Sequence, residues 1–431
     1  MGSRFRWRWN RQSIAVTVAA ALTWSCGFGE DLDQLPPPEE EIIHPIESEL
    51  LSSSGEVPVR TVTLQAAPVD PPPDVRSIRS FEDHSRWGSL SEPVEEVMGR
   101  LVDGTVLSDG RIVVVDRNYG VVRLFDRALT SSQVLGSSGD GPGEFVNPIG
   151  VTEDAEGGLV VANHLGSVVR LERFVTDADS FAFARRLQLP LVSDDGARAC
   201  GVADRMLVSG LVTLEDKGSH DINFPFLQTL SFVHTVDEGG VIVESLLPPY
   251  RGLIAREDAE SRAQLGESQV YRIASDVEIA LYFSTARLAC SDIDGRPRAW
   301  VGYSVLGEVH ATHLDGSVEW IARLEDLETL VLSQQVHEFG TSVGAGPDSS
   351  GPPDLIESVV HVPPSLLAVS VRLGEPETNG SSYRNYLIDS ETGELRDAFE
   401  SPHMILAAGD GLVVLYREDP FPEIAAVELA P

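Results

Sequence analysis

His310-Ala-Thr-His313 sets two imidazoles three residues apart, and Asp292-Ile-Asp294-Gly295 sets two carboxylates beside a glycine. The first pair invites a metal reading and the second resembles part of a calcium loop. On a strand, residues three apart point to opposite faces, so the two histidines cannot chelate one ion. The aspartate pair lacks the third acid and the distal glutamate of a calcium loop, and reads as a hairpin turn. The sequence holds no G-x-S-x-G elbow, no S-x-x-K pair and no P-loop. One lysine, Lys217, stands beside 31 arginines, which leaves little for Schiff-base or Walker-type chemistry. No catalytic residue and no metal ligand is therefore assigned, and no cofactor is predicted.

The remaining reactive group near the start is Cys26, in Thr23-Trp24-Ser25-Cys26-Gly27. Residues 1–25 contain no acid and carry Arg4, Arg6, Arg8 and Arg11, followed by an apolar run from Ile14 to Leu22. That run is short for a bilayer span, and the pattern is that of a secretory signal peptide. The segment ending at Cys26 looks like a degenerate bacterial lipobox: Ser25 and Gly27 fit, whereas Thr23 and Trp24 match poorly. Lipidation of Cys26 is the expectation, with cleavage near Ala21 or an uncleaved anchor as alternatives. Residues 26–58 hold Pro36-Pro37-Pro38, Glu39-Glu40-Glu41 and Ser52-Ser53-Ser54, and read as an acidic disordered tether. An exported protein anchored at the bacterial envelope, facing the periplasm or the cell surface, follows.

The formal charge is −35, from 67 acidic and 32 basic side chains. Four arginines in residues 1–25 and nine acids in 27–58 leave residues 59–431 at −30. So acidic a domain excludes nucleic acid as the partner, and it gives the membrane no electrostatic hold beyond the expected lipid at Cys26.

Sliding the chain by 47 residues lays Ser108–Asp116 on Ala155–Asn163 without a gap, and Val121–Leu124 on Val168–Leu171. Each unit reads as strand, tight glycine turn, strand, loop, strand. A period of this length holding four short strands marks a β-propeller blade. Weaker copies follow through residues 198–246, 285–324, 358–399 and 404–429. The expected fold is all-β, a single propeller over residues 59–431 with six four-stranded blades, seven being the rival count. Inserts are expected near 248–283 and 333–354. The last copy stops one strand short, so an N-terminal strand must close it, either Val59–Ala66 or Val75–Phe81.

Cys200 and Cys290 occupy matching places on the inner strands of adjacent copies, and an exported compartment oxidises thiols, so the two are expected to form a disulfide. In propeller enzymes the catalytic or metal-binding residues face the central channel. Glu153, Asp154, His361 and His403 lie near inner strands and are the weak candidates for such a role. A divalent cation in the channel stays an open alternative.

Gly139-Asp140-Gly141-Pro142-Gly143-Glu144-Phe145, followed by Asn147-Pro148, sits between the first two copies. This segment resembles the one that recurs at this junction in the bacterial six-bladed β-propellers related to NHL repeats. The resemblance covers roughly residues 95–175, with Asn163 standing where the family's second blade usually has aspartate. It implies the six-bladed fold and export as a lipoprotein, and adds little chemistry. The motif itself has a structural reading: the glycines permit a sharp crossover, Pro142 stiffens it, Glu144 accepts backbone N–H groups and Phe145 wedges between blades. The function expected is non-enzymatic, a membrane-tethered scaffold that binds a protein or a small ligand through one face. The alternative is a metal-dependent hydrolase or lyase of the gluconolactonase-like or NHL type.

Overall fold

The second and third strands of blade 1 are short runs rich in Val, Ile, Leu and Phe, and their apolar residues fall on both faces. Ile112–Asp116 and Val121–Phe125 are buried at every position. A sheet covered on both sides is what stacking around a ring requires. The computed structural model describes residues 41–45, 57–68, 73–82, 84–88, 97–166, 168–177, 180–192, 198–202, 205–212, 233–237, 239–246, 286–304, 307–327, 330–337, 340–347, 354–373 and 382–429. The signal segment, Cys26 and the insert 248–283 lie outside these residues.

Six antiparallel blades form the ring. Blade 1 runs Leu101–Val106, Ile112–Asp116, Val121–Phe125 and Ser132–Leu135. Blade 2 starts at Pro148–Glu153, blade 3 at Ala199–Val202, blade 4 at Arg287–Ile293, blade 5 at Leu355–Val362 and blade 6 at His403–Gly409. Each of these inner strands packs beside the next, and the blade 6 strand packs beside that of blade 1, so the ring is shut. The 47-residue shift aligns strands of blades 1 and 2: Asp116 and Asn163 lie at matching places in their second strands and are both fully buried.

Ring closure differs from expectation. Blade 6 takes its fourth strand from Ser85–Trp87, antiparallel to Ile424–Ala426. Val59–Val62 instead lies parallel to Ile321–Leu324, as a fifth strand on blade 4. Residues 73–79 form a helical turn, Pro73–Arg76, continued by Ser77–Arg79. Pro73 suits the first position of a helix, and the turn buries Val75 and Ile78 against Val413 and Leu415. Trp87 explains why the later strand closes the ring, since its indole meets the Phe125 ring at 5.5 Å, edge to face, across the blade 6 to blade 1 junction.

The hydrophobic cores lie between blades. Among the described residues, separate clusters seal the junctions 1–2, 2–3, 4–5, 5–6 and 6–1. At the junction of blades 3 and 4 the described tie is covalent, a Cys200–Cys290 disulfide with Cα atoms 5.9 Å apart. The Gly139–Phe145 segment works at the 1–2 junction. Phe145 is fully buried there and tilts against Phe174 at 5.8 Å. Glu144 accepts the Gly141 N–H at 2.7 Å. Gly136 turns with φ +76°, and a Cβ there would run into the Phe145 ring. In a separate three-stranded sheet, Glu41–Pro45 from the acidic tether pairs with 331–335, whose hairpin partner is Gly340–Pro347. Ile42 and Ile43, β-branched and adjacent, account for strand formation within an otherwise acidic stretch.

The central channel as candidate functional site

In blades 1, 2 and 3 the backbone at the start of the inner strand is held by a side chain from the blade's own second strand. Asp116 Oδ2 accepts the Gly99 N–H at 2.9 Å, Asn163 Oδ1 accepts that of Asn147 at 3.0 Å, and Ser209 Oγ accepts that of Arg198 at 2.7 Å. In blade 3 the tie is reciprocal, because the Ser209 N–H donates to the Arg198 carbonyl at 2.9 Å. Neighbouring inner strands are then stitched together. Asp103 Oδ2 accepts the Val151 N–H at 2.9 Å, Thr152 Oγ1 accepts that of Gly201 at 2.9 Å, and Ser358 Oγ donates to the Ile405 carbonyl at 2.6 Å. A rigid collar results, around a cavity of about 590 Å³ to which all six blades contribute wall. That volume lies within the usual range for small-ligand sites.

Arginine and carboxylate groups gather where the inner strands begin. Arg198, Arg287, Asp103 and Glu357 line the cavity. Arg287 donates from Nε to the Glu357 carbonyl at 2.9 Å and from Nη2 to Glu357 Oε2 at 3.3 Å. Arg100 and Arg372 approach the same carboxylate at 3.8 and 3.6 Å. Despite burial, the surrounding arginines, Arg287 first, hold the Glu357 carboxyl below its usual range. Asp103 goes the other way, since burial raises its pKa more than Arg198 lowers it. Burial, helped by the charge of Arg287, pulls Arg198 down to about 9. Its Nη2 donates to the Val102 carbonyl at 3.1 Å.

The other end is built from turns. Glu153 accepts the Ser108 N–H and hydroxyl, each at 2.8 Å, and Asp292 lines the wall nearby. His361 lies flat on Trp300, ring centroids 4.7 Å apart, and burial lowers its pKa to about 4.

Of the four weak candidates, Glu153 and His361 line the channel. Asp154 does not; it binds Arg173 Nε at 2.7 Å and faces a separate cavity of about 70 Å³ between blades 2 and 3. His403 is buried between Phe81 and Phe399, with Nε2 3.1 Å from the Ile78 carbonyl. The two histidines of the His310–His313 pair part as strand geometry requires: His310 is buried against Glu308 at 3.0 Å, while His313 is 39% exposed and meets Glu319 at 2.8 Å. Asp294 and Gly295, at φ 53° and 74°, form the two-residue hairpin turn. Among the described residues no three His, Cys, Asp or Glu side chains converge to hold a metal ion. Sequence reasoning missed Asp103, Arg198, Arg287 and Glu357. Their one shared signal is a charged residue at or near the start of an inner strand, a common pattern without function.

No family model matches the chain, and no curated protein matches it. Solved structures share the architecture distantly. A Bacteroides fragilis protein described as exported is 9% identical, with a TM-score of 0.46 over 86% of this chain and 100% of the other. A member of the DUF4221 family from Bacteroides vulgatus is 8% identical, with a TM-score of 0.45 over 81% and 96%. The PQQ-bound aldose sugar dehydrogenase of Streptomyces coelicolor is 10% identical, with a TM-score of 0.41 over 91% and 99%. The six-bladed fold rests on the strand order, and the similarities assign no activity to this chain.

Proposed function

We propose that the chain is an exported, NHL-like propeller, lipid-anchored through Cys26, that binds a small ligand in its central channel rather than transforming one. The observation that carries this reading is how three of the four channel carboxylates are engaged, Asp292 being the fourth. Glu357 is gripped by arginines, Asp103 accepts a backbone N–H, and Glu153 accepts from Ser108. Acids so engaged shape a binding surface, whereas general acid–base work needs a carboxylate aimed at substrate.

Thr105 lines the cavity and is half-buried, so Thr105→Trp fills the channel with little cost to the core. A thermal-shift screen of the full chain against sugars, amino acids, carboxylates and phosphates should give at least one ligand that Thr105→Trp no longer binds. Equal binding by both proteins, or turnover of a lactone substrate, overturns the proposal. For the anchor, Cys26→Ala should move the protein from the membrane to the soluble fraction.

A further inference from the structure

In residues 59–431 acids exceed bases by 30, yet around Glu357 the balance reverses. Four guanidinium groups, those of Arg100, Arg198, Arg287 and Arg372, act on Glu357, against three carboxylates in the same cluster, Asp103, Glu357 and Glu418, the last acting on Arg372. Arg117 adds a fifth positive charge within electrostatic reach of Arg198. Arg198 and Arg287 are engaged within the protein, with the Val102 carbonyl and with Glu357, while Arg100 and Arg372 bring two further guanidinium forks of five N–H donors each. Arg100 and Arg372 are also 39% and 37% exposed, and stand at ion-pair range from Glu357 rather than in the close fork geometry they could adopt.

We propose that this end of the channel recognises the oxyanion group, carboxylate or phosphate, of a small organic anion. Arg287 in the cavity wall, with Arg100 and Arg372 beside Glu357, supplies the donors, and Glu357 is the internal anion with which the ligand competes. The lowered carboxyl pKa of Glu357, despite burial, reports the positive potential an entering anion would meet. Glu153 and Asp292 at the far end of the cavity disfavour a second anionic group there, so the ligand carries its charge at one end.

The inference rests on the channel being the binding site, and its test separates the two. Titrate the full chain with succinate, inorganic phosphate and, as a neutral control, glucose, in wild type, Arg287→Gln, Arg100→Gln and Glu357→Gln. One of the anions should bind, more weakly as ionic strength rises. Arg287→Gln should weaken it about tenfold or more, and Glu357→Gln should strengthen it about threefold or more by removing the competitor and its charge. A purely structural cluster predicts the opposite sign for Glu357→Gln. Should Arg287→Gln fail to fold, Arg100→Gln, at an exposed position, carries the same prediction. If neither anion binds, or if binding ignores both Arg287→Gln and Arg100→Gln, the anion site is overturned. Glucose binding that only Thr105→Trp abolishes would overturn the anion site and keep the channel.

Discussion

Where the inner strands begin, Arg198 and Arg287 face Asp103 and Glu357; where they end, Glu153 and Asp292 share the wall with Ser108 and His361. The same six strands build both ends, yet the residues have different origins. The ends of the inner strands run into tight turns such as Asp109-Gly110, Glu156-Gly157 and Asp294-Gly295. Turn chemistry selects Asp, Gly and Ser, so acids collect there without any ligand to hold. The beginnings of the strands follow crossovers from the previous blade, and no turn rule calls for arginine. Burying Arg198 costs enough to lower its pKa to about 9, so local folding preference does not account for the arginine end.

Three experiments press on this contrast. The largest effect belongs to Arg198→Met. Removing the guanidinium takes from buried Asp103 its main cationic partner, and urea unfolding should show a loss of about 3–5 kcal/mol. A loss below about 1 kcal/mol would mean the arginine end is solvated, and the contrast with the turn end would collapse. Next comes pH. In the unfolded chain the imidazole takes a proton below about 6.5, whereas folded His361 stays neutral down to about 4. The unfolded state binds the extra proton, so stability must fall as pH drops through that window, by on the order of 2 kcal/mol for this residue. His361→Gln should flatten the slope of melting temperature between pH 6.5 and 4.5; an unchanged slope would assign it to His403, which has the same shift. The smallest effect is expected from Glu153→Gln at the turn end, about 0.5–1 kcal/mol in the same unfolding assay. Altered anion affinity in that variant would show that both ends take part in recognition.

The blades were legible because the repeat is local. Asp116 and Asn163 fall 47 residues apart and do the same job, each holding the backbone that leads into its blade. Cys200 and Cys290 were legible for a related reason, since matching positions on adjacent inner strands must meet. Ring closure was less legible. Val59–Val62 has the β-branched character of a closing strand, but what it joins depends on an edge of blade 4 that no local pattern announces. Ser85–Trp87 is three residues long, too short for periodicity to register. The arginine end was hidden for a topological reason. Arg198, Arg287 and Glu357 come from three different blades, and only the closed ring brings them to one cavity, with Arg100 beside Glu357.

That the last blade borrows its outer strand from residues 85–87 has a consequence for how the molecule comes to exist. The four antiparallel strands of each of blades 1 to 5 come from neighbouring stretches of chain and can form one after another, although blade 4 also adds Val59–Val62 as its fifth strand. The pairing of Trp87 with Ile424 must wait until nearly the whole propeller is available, and contacts so distant in sequence are slow to find. Until then the blade 1 face carrying Ile112, Val114 and Phe125 has nothing to cover it. The arginine end is also incomplete, because the collar that gathers its charges has not closed. Binding competence should therefore arrive last and all at once, as the final event of folding.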